Sequence, residues 1–203
     1  MFPAGQMTAA PPTRRTALNL PNLLTYARLA AVPVVVGLMF WPEDRWSRWF
    51  ALAIFVVAAI TDYLDGYFAR AYAQGSALGR MLDPIADKLL VAACLLMLVA
   101  DGTISGWSLW AAIVILCREI LVSGLREFLA EIKVSVPVSR VAKWKTTAQL
   151  VAVAFLVAGP AGETVLPYTI EIGVLLLWVA AILTIYTGWD YFRSGIRHVV
   201  ASR

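Results

Sequence analysis

The sequence predicts an all-α integral membrane protein: six transmembrane helices behind a short N-terminal interfacial segment. Three observations carry that prediction. The 203 residues are 61% hydrophobic and only 15% charged, with a mean hydropathy of +0.75, far from the composition of a soluble domain. The apolar residues fall into six stretches, each near the ~20 residues that cross a bilayer. The basic residues gather in alternate joints between those stretches, as in chains that thread a membrane.

Taken in order, residues 1–18 form a Pro/Ala/Thr-rich leader, expected to be flexible or to lay a short helix on the membrane around Arg14 and Arg15. No small-residue cleavage site follows it, so the first apolar stretch is expected to stay as a helix rather than leave as a signal peptide. Residues 19–203 read as one six-helix domain, with spans at roughly 21–41, 49–70, 83–100, 107–127, 141–159 and 167–190. Turn signals separate them at Pro42, Gly75, Gly102, Gly106, Gly159–Pro160 and Pro167. Asp83 followed by Pro84 reads as the start of the third span, since proline suits the first helical turn. Trp41, Trp46, Trp49 and Trp107 fall at span ends, where indoles anchor at the headgroups. Cys94 and Cys117 lie inside apolar runs without metal-ligand spacing and read as small buried hydrophobes. A single histidine, His198, argues against a histidine-based metal site or triad.

Charge sets the orientation. With the N-terminus inside, the inner segments hold Arg14, Arg15, Arg70, Arg80, Arg126, Lys133, Arg140, Lys143, Lys145, Arg193, Arg197 and Arg203. The outer segments hold only Arg45 and Arg48, beside Glu43 and Asp44. This bias predicts a multi-pass protein of the inner or plasma membrane with both termini cytoplasmic. The net charge of +4 does not suggest nucleic acid, because the cations follow the membrane face without an aromatic platform.

Residues 62–87 read DYLDGYFARAYAQGSALGRMLDPIAD, and four carboxylates so close to apolar spans need a reason, since intramembrane charges usually mark function. Thirteen residues after Trp49 at 1.5 Å each, Asp62 lies about 20 Å down its helix, near the inner surface. Asp62 and Asp65 are i,i+3, with Gly66 and Ala69 continuing their face; Asp83 and Asp87 are i,i+4, with Gly79 one turn earlier. Packed antiparallel, the two helices would gather all four carboxylates at one point, with Lys88 and Arg70 offsetting part of the charge. Oxygen donors without His or Cys suit hard ions, Mg²⁺ or Mn²⁺, and two such ions recur in displacement at phosphorus. A salt-bridged polar seam or an ion pathway is the competing reading.

The pattern Asp62-x-x-Asp65-Gly66-x-x-Ala69-Arg70, then Gly79-x-x-x-Asp83-x-x-x-Asp87, resembles the signature of the CDP-alcohol phosphotransferases, with no element departing from it. That resemblance implies six transmembrane helices, cytoplasmic termini, an active site on the cytoplasmic side, and commonly a homodimer. It implies that Asp62, Asp65 and Asp83 are metal ligands and that Asp87 is the general base, also touching a metal. It also implies that Gly66, Ala69, Arg70, Ser76 and Gly79 line the CDP site. Asn22 and Thr25 would join that site or simply hydrogen-bond neighbouring helices.

The flanks LNLPNLLTYARLAAVP, LDPIADKLL, CREILVSGLREFLA and KWKTTAQ resemble the phosphatidylglycerophosphate synthases, one branch of that family. The implied reaction moves a phosphatidyl group from CDP-diacylglycerol to glycerol 3-phosphate and releases CMP. An anionic acceptor needs cations. Arg118 lies inside the fourth span, and Glu119 beside it points about 100° away, so it is not an obvious partner. Arg118, Lys143, Arg140 and Arg193 are the candidate acceptor-phosphate residues, against anchoring to anionic lipid for Arg193, Arg197 and Lys145. Two rivals remain: the same family with another acceptor, such as inositol phosphate or phosphatidylglycerol, and a small ion or proton transporter.

Overall fold

The structure, a computed structural model, describes residues 20–72, 77–132 and 140–201; side chains at 20–21, 63–72, 77–80, 83, 140–143, 190 and 194–201 lie outside that description. The leader with Arg14 and Arg15 and the turn expected at Gly75 are therefore outside the described residues. Among those described there are six α-helices and no strand: α1 Leu20–Met39, α2 Arg45–Tyr72, α3 Ala77–Ala100, α4 Ser108–Glu131, α5 Arg140–Glu163 and α6 Thr169–Ala201.

Several boundaries differ from the sequence reading, among them those of α3, α5 and α6. The third helix begins at Ala77, so Pro84 sits inside α3 rather than in its first turn; the helix starts before the apolar span does. The fifth does not stop at Gly159–Pro160 but resumes beyond a break, where Gly159 takes φ 47° and ψ −132°. Glycine adopts that φ without a Cβ clash, and Pro160 has no N–H to lose. The sixth runs past residue 190 to Ala201. Asp44 caps α2, accepting from Trp46 N at 3.3 Å and from the Ser47 N and Oγ at 3.1 and 2.6 Å. The Ser47 hydroxyl holds the Asp44 carboxyl below the usual carboxylate range.

Helix α1 packs on both α2 and α3, α2 also on α5, α5 on α6, and α6 on α4. The core runs through Val35, Met39, Phe55, Leu95, Leu98, Ile115, Leu156 and Leu177, all buried. The outer surface is just as apolar: Phe50, Val57, Ile60, Leu96, Ile120, Leu175 and Ile182 are all exposed. Such a surface has no place in water and suits a hydrocarbon surround. Lipid tails are as apolar as leucine, so the helices must associate by close packing of small residues. Ala51, Ala111, Ala112, Ala152 and Ala180 are buried at the contacts. Gly173 lets α6 approach α5 so closely that a Cβ there would stand 2.8 Å from Leu156 Cγ. Cys117, unlike the buried Cys94, faces outward on α4; an apolar outer face hides the difference between lipid-facing and core positions.

By length and composition, α1, α4 and α6 hold stretches able to cross a membrane: Asn22–Met39, Ser108–Glu131 and Thr169–Arg193. Arg48, read from the sequence as an outer-loop charge, is in the first turn of α2 and only 2% exposed. Its guanidinium pairs with buried Asp101, donates from Nη1 to Val157 O at 3.4 Å, and lies against Gly159, where a Cβ would be 3.2 Å from Nη1. This ion pair ties α2, the end of α3 and the break in α5 together.

Candidate active site

At the opposite end of α2, the bundle collects a second polar group. Helix α1 buries Asn22, Thr25 and Arg28, spaced i,i+3,i+6 on one face. Arg28 Nη1 meets Asp62 Oδ1 of α2 at 2.7 Å, with the Asp62 side chain 37% exposed. A buried guanidinium needs such a partner, and a half-open carboxylate held from behind keeps a fixed orientation toward the open side. Asp87 of α3, half-buried, lies within electrostatic reach of Asp62, Arg28, Lys88 and Glu119. Lys88 turns back along its own helix, donating from Nζ to Pro84 O at 2.8 Å. Among the described residues, Arg28 is thus the cation placed on Asp62; the side chain of Arg70 lies outside the description.

The expected meeting of the two aspartate helices falls largely on residues outside the described side chains. Among the described residues α2 and α3 touch only slightly, and each packs on α1 instead. Arg28 of the first helix pairs with Asp62 and lies within electrostatic reach of Asp87.

Beyond Asp87 stands a basic pair, Arg118 of α4 and Lys145 of α5, held with the help of α6. Arg118 of α4 donates from Nε to Thr184 O at 3.2 Å and from Nη2 to Thr187 Oγ1 at 3.1 Å, both on α6. Gly188 gives it room: a Cβ there would be 3.1 Å from Arg118 Cγ. Arg118 Nη1 also reaches Glu119 Oε1 at 3.5 Å, so the neighbour dismissed on helical angle is a partner after all; a guanidinium on three methylenes can swing back toward it. Glu119 Oε1 also takes Lys145 Nζ of α5. Lys145 is buried, which removes it from the lipid-anchoring residues. Between Asp87 and this cluster lies a cavity of ≈ 80 Å³, lined by Asp87, Lys88, Glu119, Thr146 and Gln149 with apolar neighbours. A larger groove of ≈ 390 Å³ runs between α1 and α2, walled by Leu24, Ala27, Ala31, Ile54 and Val57, and includes Arg28 and Thr61 beside Asp62.

Of the residues singled out from sequence, Asp62, Asp87, Asn22, Thr25 and Arg118 converge at this end, while Arg193 is exposed on α6. The side chains of Asp65, Gly66, Ala69, Arg70, Gly79, Asp83, Arg140 and Lys143, and all of Ser76, lie outside the description. Among the described residues no group of three His, Cys, Asp or Glu side chains could hold a metal ion; Asp62 and Asp87 supply two carboxylates, oxygen donors of the kind Mg²⁺ takes. Sequence reasoning gave no site role to Arg28 or Gln149, and read Glu119 as facing away from Arg118 and Lys145 as a candidate lipid anchor. A charge deep in an apolar span could have flagged Arg28. Lys145 and Gln149, one turn apart on α5, could have been flagged as a shared polar face.

Compared with known proteins, residues 18–186 match the sequence model for the CDP-alcohol phosphatidyltransferase family. The chain is 48% identical over 176 residues to the CDP-diacylglycerol–glycerol-3-phosphate 3-phosphatidyltransferase of Rickettsia bellii, covering 87% of this chain and 94% of that one. Proteins of the same name from Shigella flexneri serotype 5b and Cereibacter sphaeroides are 42% and 38% identical, over 87% and 89% of this chain and 94% and 97% of theirs.

Proposed function

The chain belongs to the CDP-alcohol phosphatidyltransferase family, and from that premise we propose that it transfers the phosphatidyl group of CDP-diacylglycerol to the 1-hydroxyl of glycerol 3-phosphate, giving phosphatidylglycerophosphate and CMP. The observation that carries this reading is one continuous polar site at one end of the bundle. Asp62 and Asp87 stand on one side of it, and Arg118 and Lys145 on the other. A pyrophosphate donor and a phosphorylated acceptor need those two halves.

Asp87 takes the proton of the acceptor hydroxyl as its oxygen forms a bond to the phosphatidyl phosphorus. The bond from that phosphorus to the bridging oxygen breaks, and its electron pair leaves with CMP. Asp62, Asp65, Asp83 and Asp87 would hold Mg²⁺ or Mn²⁺, two ions by the resemblance, whose charge would offset that of the pyrophosphate and the departing CMP. Arg28 keeps Asp62 aimed at the site. Gly66, Ala69, Arg70, Ser76, Gly79, Asn22 and Thr25 receive the CDP head. Arg118 and Lys145, with Lys143, Arg140 and Arg193 as further candidates, receive the acceptor phosphate. The groove between α1 and α2 suits an acyl chain of the donor, which would enter sideways from the bilayer with its head at Asp62. The site then faces the cytoplasm, in a six-span protein of the inner or plasma membrane.

The test is CMP release by purified protein with CDP-diacylglycerol and Mg²⁺, comparing glycerol 3-phosphate with inositol phosphate, serine and phosphatidylglycerol. Release that depends on glycerol 3-phosphate supports the reading; release with another acceptor reassigns the basic cluster. Lys145→Met should raise KM for glycerol 3-phosphate by about 10- to 100-fold, the worth of one charge-assisted hydrogen bond, with KM for CDP-diacylglycerol little changed. Equal shifts in both would mean that Lys145 only supports the fold.

A further inference from the structure

Gln149 is an oddity of this site. It is 5% exposed, one helical turn beyond Lys145 on α5, and its carbonyl oxygen Oε1 meets no hydrogen-bond donor among the described residues. Buried polar groups are normally paired, so an orphaned one asks what it is kept for. The orphan borders the cavity of ≈ 80 Å³ that it shares with Asp87, Glu119 and Thr146. That space is well above the ~10–15 Å³ a single water needs.

The chemistry of the lining narrows the occupant. An amide both accepts and donates, so it pairs with a hydroxyl in either sense. A fully ionised phosphate has nothing to donate to Oε1, and the carboxylates of Asp87 and Glu119 would repel it. The remaining wall includes Val91, Leu116 and Leu150, which suits carbon. Lys88, also in the lining, turns its Nζ to Pro84 O, so the occupant that suits Gln149, the two carboxylates and the apolar wall is an aliphatic carbon carrying a neutral hydroxyl, next to the hydroxyl that Asp87 deprotonates.

Resting on the reading above, we propose that Gln149 determines acceptor specificity by hydrogen-bonding the second hydroxyl of the acceptor, on the carbon adjacent to the reacting one. The phosphate of such an acceptor extends toward Lys145 and Arg118, its reacting hydroxyl meets Asp87, and its middle hydroxyl meets the Gln149 amide. Selection for two adjacent hydroxyls follows, because an acceptor lacking the middle one leaves the buried amide unpaired.

The experiment measures CMP release by the full chain with glycerol 3-phosphate and with 3-hydroxypropyl phosphate, which lacks the middle hydroxyl. The wild-type protein should favour glycerol 3-phosphate in kcat/KM by about 10- to 100-fold. Gln149→Met, close to isosteric, should lose most of that preference by losing activity on glycerol 3-phosphate and far less on the analogue. A wild-type protein that uses both acceptors equally overturns the proposal without any variant. So does a Gln149→Met protein that keeps the wild-type ratio, or loses both activities in parallel. No CMP release from the wild-type protein with glycerol 3-phosphate would overturn the underlying reaction as well, which separates the two failures.

Discussion

Asp87→Asn is expected to lower kcat for CMP release by about 10²- to 10⁴-fold, the usual contribution of a positioned general base, while CDP-diacylglycerol binding survives. The substitution keeps the shape of the side chain and removes the oxygen that would accept the proton. Asp87 lines the cavity that also holds Gln149 and Glu119, on the acceptor side of the site. Asp62 instead lies against Arg28 of α1, beside the groove assigned to the donor. Asp62→Asn should therefore weaken donor binding as well as turnover, because it uncouples Arg28 from its ion pair. Steady-state kinetics together with equilibrium binding of the CDP-lipid separate the two variants. Wild-type turnover in Asp87→Asn would take the base role away from this residue.

The largest effect on stability is expected at the other end of the bundle. Arg48→Met leaves Asp101 buried without its partner, and breaking a buried ion pair in this way costs about 3–5 kcal/mol. Both side chains are at most 3% exposed, so water cannot take over the lost contact. The thermal midpoint in detergent should fall clearly for Arg48→Met. It should recover in the double variant Arg48→Met/Asp101→Leu, since an apolar pair of similar volume often replaces a buried ion pair without loss. Arg48 and Asp62 are 14 residues apart on α2, about 21 Å along the helix. The folded fraction of each variant should thus keep its wild-type KM values. A single variant with an unchanged midpoint would mean that the pair contributes nothing, and a shifted KM would mean that the two ends are coupled.

Much of this protein can be read without coordinates. Six helices in order follow from apolar runs of bilayer length, because hydrocarbon leaves a backbone few ways to satisfy its own hydrogen bonds. The aspartate spacing named the family, because residue type and interval along a helix are properties of the chain itself. Four charges were harder. Arg28 looked like one polar residue in a first span, Arg48 like a loop charge, Lys145 like a lipid anchor, and Glu119 like a residue facing away from Arg118. Three of them owe their pairing to side chains far along the chain, Asp62 for Arg28, Asp101 for Arg48 and Glu119 for Lys145, while Glu119 is also reached by its own neighbour Arg118. Local periodicity tells which face of a helix a residue occupies, but in a bundle whose outer surface is as apolar as its core it does not tell what that face meets. The sequence by itself determined the six helices in order and the family. Only the tertiary structure decided the ion pairs and the orphaned Gln149, because they depend on distances between residues far apart in the chain.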